Sequence, residues 1–392
     1  MPGAAGYPGT AALLWFARTA NGAVHVPANL VWLRKSTQPA PDPAADTAAL
    51  ACHLQALGLP AAAGPIDGAP GFYRLRSLPA PAGTLPDGEN RSGEAESAPR
   101  SGEPLPPADA APLVSILIPT RDGADVLARC LASLYDRTSG PAFEVLILDN
   151  GSTQPETAQL FARCSAAHEN FRVLACPGPF NFSALNNAGA AAARGQYLVL
   201  LNSDTEVLTP DWLQELLLYA AMPQTGAVGA LLLYPDGTVQ HAGLVLGIQG
   251  PANHAHRGED PAGGGYLGRL RCAQDVSAVT GACLMVEKAK WQRAGGMDEA
   301  LPVAYNDVAF CLALGRLGLR CVFTPFAVLR HYESVSRGQD VQGENRARLE
   351  AAAARMQAQW HVGDGCRDPY YNPNLSTKAE DFRIELQPLP EW

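Results

Sequence analysis

The 392-residue chain lacks several features that would assign it quickly. Its nine cysteines form no CxxC pair, which argues against a zinc cluster or disulfide scaffold and for scattered reduced thiols. No uninterrupted apolar run reaches the ~18 residues that a membrane-spanning helix needs. The first residues lack the basic-then-apolar pattern of a signal peptide, so the cytoplasm is the expected compartment. Positive charge is also in deficit, with a formal net charge of −9. That balance argues against nucleic acid as main partner, since phosphate backbones recruit Lys and Arg.

What is present describes a globular protein with ample core, at 47% hydrophobic and 17% charged residues. Three zones separate along the chain. Residues 1–78 mix short apolar pieces with turns, and residues 79–112, rich in Pro, Ala, Gly, Ser and Glu, read as a flexible linker. From Leu113 onward strands alternate with helices, which implies βαβ units and a mostly parallel sheet with helices on both faces. A chain beginning near Ala110 is accordingly expected to fold by itself.

The first strand is expected at Val114–Ile118, closed by Pro119, with Arg121 and Asp122 leading into a helix whose apolar face is Val126, Leu127, Leu131 and Leu134. A second strand, Phe143–Leu148, ends in Asp149-Asn150-Gly151-Ser152. A helix over 154–163, a strand near Arg172–Ala175 and an Ala-rich helix within 181–193 follow. The strand at 197–201 then runs into Asn202, Asp204 and Glu206. Right-handed crossovers place Pro119, Asp149 and Asp204 along one edge of the sheet, where open α/β sheets build ligand sites. Asp204 at such a strand end suits a hard cation, Mg²⁺ or Mn²⁺, with other positions left for water and a diphosphate.

The second half is less regular. Residues 226–270 hold short strands and a Gly-rich loop around Gly263, Gly264 and Gly265. An apolar stretch from Val276 to Val286 is interrupted at Thr280-Gly281. Asn306-Asp307 opens a helix, and Val322-Phe323, Pro325 and a further apolar stretch end at His331. Each polar residue also has a plainer reading: Asp149 shaping a turn, Asp307 capping a helix, His331 a satisfied histidine at a strand end. His254 and His256 lack a nearby carboxylate, so lining of an acceptor site or a solvated loop is favoured over ligation. His241 stays open, and Trp212 is assigned to core packing.

Taken together, VSILIPTRD (114–122), LDNGS (148–152), NFSALNNAGAAAARG (181–195), LLNSDTEV (200–207), DVSAVTGACLMV (275–286), NDVAFCLAL (306–314) and TPFAVLRHYES (324–334) resemble glycosyltransferase family 2. Members are inverting sugar transferases with the nucleotide-binding α/β sheet called the GT-A fold. The resemblance covers residues 113–340 and is strongest to bacterial transferases of O-antigen and other surface polysaccharides, several of them rhamnosyltransferases. It implies a nucleotide-sugar donor and a glycan or lipid-linked glycan acceptor, with no transmembrane segment and at most peripheral contact with the inner membrane face.

By that resemblance Pro119, Thr120 and Arg121 cradle the nucleotide, Asp149 binds the base, and Asn186 and Ser203 lie near the nucleotide. Asp204 is the last acid of the family's D-x-D metal motif, whose first acid is here Asn202. His331 falls where some GT-A enzymes supply a further metal ligand. Asp307 corresponds to the catalytic base, preceded by Asn306 where Glu is usual. Two alternatives remain: a sugar-nucleotide nucleotidyltransferase, or a non-catalytic glycan-binding or scaffold relative. Leu14–Arg34 loosely echo Cys311–Arg330, so 1–78 reads as a small appendage, the tail of a preceding transferase module; 341–392 reads as a helical and irregular extension. Donor and acceptor specificity is expected in loops 240–270 and 335–370.

Overall fold

The computed structural model describes residues 43–56, 61–67, 69–77, 112–332, 344–363 and 365–384. The echo at 14–34 and nearly all of the linker therefore lie outside the described residues. The first elements are helix α1 (Pro43–Ala56) and an antiparallel hairpin of β1 (Ala61–Ile66) and β2 (Ala69–Ser77).

The larger unit begins with β3 (Val114–Thr120), α2 (Ala124–Arg137), β4 (Phe143–Asp149), α3 (Pro155–Ala167) and β5 (Phe171–Ala175). Next come α4 (Phe182–Ala192), β6 (Tyr197–Leu201), β7 (Thr205–Val207), α5 (Trp212–Ala220) and β8 (Thr225–Leu233). Short strands β9 (Val239–His241), β10 (Leu244–Leu246), β11 (Ala252–His254) and β12 (Gln274–Val276) fill the irregular stretch. The remainder is β13 (Cys283–Glu287), α6 (Lys288–Ala294), α7 (Asn306–Arg316), β14 (Arg320–His331) and α8 (Glu344–Trp360).

The main sheet has the strand order β12-β14-β8-β13-β6-β3-β4-β5, with β7 on β14 and β9 on β8. Strands β6, β3, β4 and β5 are mutually parallel, and β3 is buried at every position, as a central parallel strand covered by helices should be. Helices α2, α3 and α5 supply Leu127, Leu160 and Trp212 to one face of the sheet. Helices α4 and α7 supply Leu185 and Phe310 to the other. Strand β13 then enters antiparallel to both β6 and β8, so the second half of the sheet is mixed.

Pro119 does not close its strand, because β3 continues to Thr120, paired with Asp149. The geometry explains the tolerance. In a parallel ladder alternate residues bond to opposite neighbours, and the carbonyl of Thr120 accepts from Asn150 on the β4 side. Pro119 therefore faces β6, where the ladder has already ended at Leu117–Leu200. Its missing N–H falls where no partner is needed. Pro325 is similarly absorbed, at a register shift between Thr324 and Val328 inside one long strand.

The N-terminal hairpin packs against the larger unit. Leu75 joins a small cluster with Leu54, Ala61 and Ala63, and that cluster reaches Leu218 on α5. Arg74 pairs with Asp211 at 3.0 Å and with the buried Glu215, while its guanidinium covers the Phe326 ring. Burial raises the Glu215 carboxyl above its usual range, with Arg74 pulling the other way. Removing one partner of a desolvated pair leaves an uncompensated charge. Arg74→Ala is expected to lower unfolding free energy by about 2 kcal/mol, since Arg74 keeps some solvent contact. Adding Glu215→Gln should recover part of the loss in urea titrations, and an unchanged midpoint in Arg74→Ala would show that this contact does not hold the hairpin.

Candidate active site

The parallel half of the sheet reverses its strand order at β3, which has β4 on one side and β6 on the other. Such a switch point opens a crevice at the carboxyl ends of the strands. A cavity of about 420 Å³ lies there, lined by Pro119–Gly123, Val126, Phe180, Phe182 and Asn202–Asp204. A second cavity, of about 470 Å³, shares Phe182, Asn202 and Asp204 with it and adds Gln240, His254, Thr280, Gly281, Asn306, Asp307 and His331. The two meet at Asp204.

Asp204 is buried in the turn between β6 and β7. Strand β14 returns antiparallel to β7, pairing His331 with Thr205, and the Tyr332 amide donates to the Asp204 carbonyl at 2.9 Å. This sets His331 Nε2 at 3.1 Å from Asp204 Oδ1 and at 3.1 Å from Asn202 Nδ2. The other ring nitrogen, Nδ1, lies 2.6 Å from Gln240 Oε1, an acceptor that fixes the proton on Nδ1. The Nε2 lone pair then accepts from the Asn202 side-chain amide and lies beside the Asp204 carboxylate, so that a cation held there would find one nitrogen and one oxygen ligand. A separation of 3.1 Å also matches adjacent ligands at right angles around an ion with bonds of about 2.1 Å. The donor set fits a divalent oxygen-and-nitrogen site. Among the described residues no group of three or more His, Cys, Asp or Glu gathers around a single point.

Asp307 occupies the first turn of α7. Its Oδ2 accepts from the Gly281 amide at 2.9 Å, its Oδ1 from the Val308 amide at 2.8 Å, and Thr280 adds a side-chain bond. Burial nevertheless raises its carboxyl above the usual aspartate range, against those three bonds. Gly281 matters sterically, since a Cβ there would sit 3.1 Å from the Phe182 ring and 3.6 Å from Asp307 Cβ. The same segment ties the two acids together, because the Asn202 amide donates to the Ala282 carbonyl at 3.0 Å.

Pro119, Thr120, Arg121, Ser203 and Asp204 thus share the first cavity, and Asp204, His331 and Asp307 share the second. Asp149 and Asn186 line neither. Asp149 Oδ1 accepts from the Ser152 amide at 3.0 Å, the turn-shaping geometry of an Asx motif. Asn186 is fully buried in α4 and donates to the Phe182 carbonyl at 2.8 Å, so it braces the cavity wall from behind. Glu206, expected beside Asp204, turns away to Arg330, Tyr332 and Arg137. His256 is no solvated loop residue: it is buried, bonded to Glu259 and stacked on Phe382.

The parts played by two residues were not read from the motifs. Gln240 orients His331, yet its only sequence signal is adjacency to His241. Asp122 adopts a left-handed backbone (φ 54°) and accepts from the Thr153 and Gln154 amides at 2.8 and 2.9 Å. Its own amide donates to Ser152 Oγ. Those bonds, Gln154 first, hold its carboxyl below the usual range and staple the β3–α2 loop to the β4–α3 loop. Asp122→Ala is expected to speed amide exchange at Thr153 and Gln154 with little change in the global unfolding midpoint; unchanged exchange would refute the staple.

This architecture, a switch-point crevice in a partly parallel sheet followed by an antiparallel return strand, is that of the GT-A glycosyltransferases. The crystal structure of GalNAc-T7 with UDP, GalNAc and Mn²⁺ shares the fold at a TM-score of 0.52 and 16% identity, covering 64% of this chain and 48% of that one. Residues 115–289 match the model of Glycosyl transferase family 2. An uncharacterized protein of Sinorhizobium fredii is 42% identical over 295 residues, 75% of this chain and 32% of that protein. The O-antigen biosynthesis protein RfbC of Myxococcus xanthus is 39% identical over 284 residues, 72% of this chain and 22% of that protein. The chain therefore spans between a fifth and a third of the length of these two relatives. Among the described residues no helix is long and apolar enough to cross a membrane.

Proposed function

We propose that this chain transfers a sugar, with inversion, from a nucleotide-sugar donor to a glycan or lipid-linked glycan acceptor in O-antigen or other cell-surface polysaccharide synthesis. The observation that carries the reading is the meeting of two cavities at Asp204, one bounded by the β3 end and the other by Asp307. The relationship to an O-antigen biosynthesis protein supports the polysaccharide context.

In this reading Pro119, Thr120, Arg121 and Ser203 hold the nucleotide. Asp149, beside Thr120 at the end of β4, serves the base. Asn186 acts through Phe182. Asp204 and His331 hold Mg²⁺ or Mn²⁺, which supplies charge neutralisation for the departing diphosphate. Asp307 accepts the proton of the acceptor hydroxyl as that oxygen attacks the anomeric carbon. Its desolvated carboxylate is a stronger base than an exposed one, while the Gly281 and Val308 amides keep it aimed. Residues 113–340 form the catalytic unit, with 1–78 an appendage, 79–112 a linker and 341–392 an extension.

The metal role predicts that donor affinity, measured by calorimetry, depends on Mg²⁺ or Mn²⁺. Asp204→Ala should remove that dependence together with most of the affinity. Equal donor affinity with metal and with EDTA would sink it.

Asp307→Asn keeps the shape and the capping capacity, since Asn caps as well as Asp. Turnover should fall by a factor on the order of 10² to 10⁴ with near-normal stability and donor affinity. In the wild type, activity should be lost as pH falls through an apparent pKa above the ordinary aspartate value, because the raised carboxyl must be deprotonated to act. Full turnover in Asp307→Asn would leave Asp307 as a cap only.

A further inference from the structure

The wall of the second cavity includes His254, which pairs with a histidine buried behind it, and the transfer chemistry above uses neither. His241 is fully buried at the end of β9, and its Nδ1 lies 3.0 Å from Nδ1 of His254, at the end of β11. The rings cross edge to face at 87°. One of these two nitrogens must carry the proton. The backbone decides which, because the Gly243 and Thr280 amides both donate to His241 Nε2, at 3.3 and 3.4 Å. His241 Nε2 is therefore the unprotonated nitrogen, and its Nδ1–H donates to His254. That leaves His254 Nδ1 as acceptor and places the remaining proton of its neutral ring on Nε2. The neutral form accords with this geometry, since burial and then the charge of Arg257 push His254 down to about 4.

The surroundings indicate what this donor is for. His254 lines the Asp307 cavity together with the carboxamides of Gln249 and Asn253. Both amides are anchored from the C-terminal extension: Gln249 donates to the Lys378 carbonyl at 3.0 Å, and Asn253 to Glu380 at 2.6 Å. A fixed neutral N–H beside preset amides, with Arg257 in the same wall, offers a set of donors that suits the hydroxyls of a carbohydrate. We infer that His254, with its tautomer locked by His241, donates from Nε2 to a hydroxyl of the carbohydrate acceptor and helps seat that sugar against Asp307. His254 is thus a binding residue and His241 a positioning residue. This deepens the transferase reading and rests on it for the word acceptor, whereas the carbohydrate contact can be tested separately.

The test is imidazole ¹⁵N NMR on the full chain, with His254→Gln identifying the His254 signals. Expected are a protonated Nε2 on His254 and a protonated Nδ1 on His241, with the His254 proton redistributing between its two nitrogens in His241→Asn. Titration with methyl glycosides of hexoses, 6-deoxyhexoses and N-acetylhexosamines should move the His254 Nε2–H signal saturably for at least one sugar. By saturation-transfer measurement, His254→Phe should weaken that glycoside about 3- to 10-fold, the value of one neutral hydrogen bond, while His254→Gln retains more of the affinity. An Nδ1-protonated His254, no response to any glycoside, or full affinity in His254→Phe would each overturn the inference. Absence of any nucleotide-sugar binding, with or without metal, would instead remove the transferase reading while leaving a sugar-responsive His254 intact, so the two failures are distinguishable.

Discussion

The antiparallel entry of β13 beside β6 is the constraint on which the site depends. Parallel strands bring their carboxyl ends to one edge, and β3, β4 and β6 do so here. A further parallel strand would have delivered only its own end to that edge. Because β13 runs the other way, with Cys283 opposite Leu201, its beginning arrives at the edge instead. Thr280, Gly281 and Ala282 thereby stand next to Asn202, and Gly281 receives Asp307 from α7. One reversed strand links an acid in the first half of the domain to an acid in the second.

The electrostatics follow from which groups keep solvent and which lose it. Asp204 and His331 are both buried and lie 3.1 Å apart, in a cavity wall that also holds Arg257. Glu206, two residues on, is matched instead by Arg330, Tyr332 and Arg137, so it serves to pin β7 to β14. Asp307 is desolvated yet receives backbone amides, which fixes direction without supplying a counter-charge. Anionic capacity is thus divided between one acid suited to a cation and one suited to a proton.

The far wall of the second cavity is assembled late in the chain. Asp368 accepts from the Leu246 amide at 2.7 Å, and Tyr371, Leu375 and Phe382 pack on Val245, Ile248 and Ala255. The extension therefore clasps the β10–β11 hairpin that carries Asn253 and His254. Leu349 of α8 closes the same cavity from another side. This wall is thus built in part by segments distant in sequence from the motifs.

Much was legible before any coordinates. Continuous apolar runs at 114–118, 143–148 and 197–201 identified the parallel strands, because strands covered on both faces carry few polar residues. Abrupt polar exits from those runs marked Asp149 and Asp204, and the ordered motifs carried the family and Asp307. Local pattern could not reach the rest. Whether Pro119 ends a strand depends on which neighbour its missing N–H would face, and that is a property of the sheet. Glu206 and Asp204 look equivalent in sequence, yet Arg330 and Arg137 claim one and His331 the other. The roles of Gln240, His241 and His254 rest on hydrogen bonds between segments joined only by folding. The sequence by itself determined which residues could carry charge and where strands would end; the tertiary structure alone decided which of those groups face one another, because hydrogen-bond partners and tautomers are set by through-space neighbours.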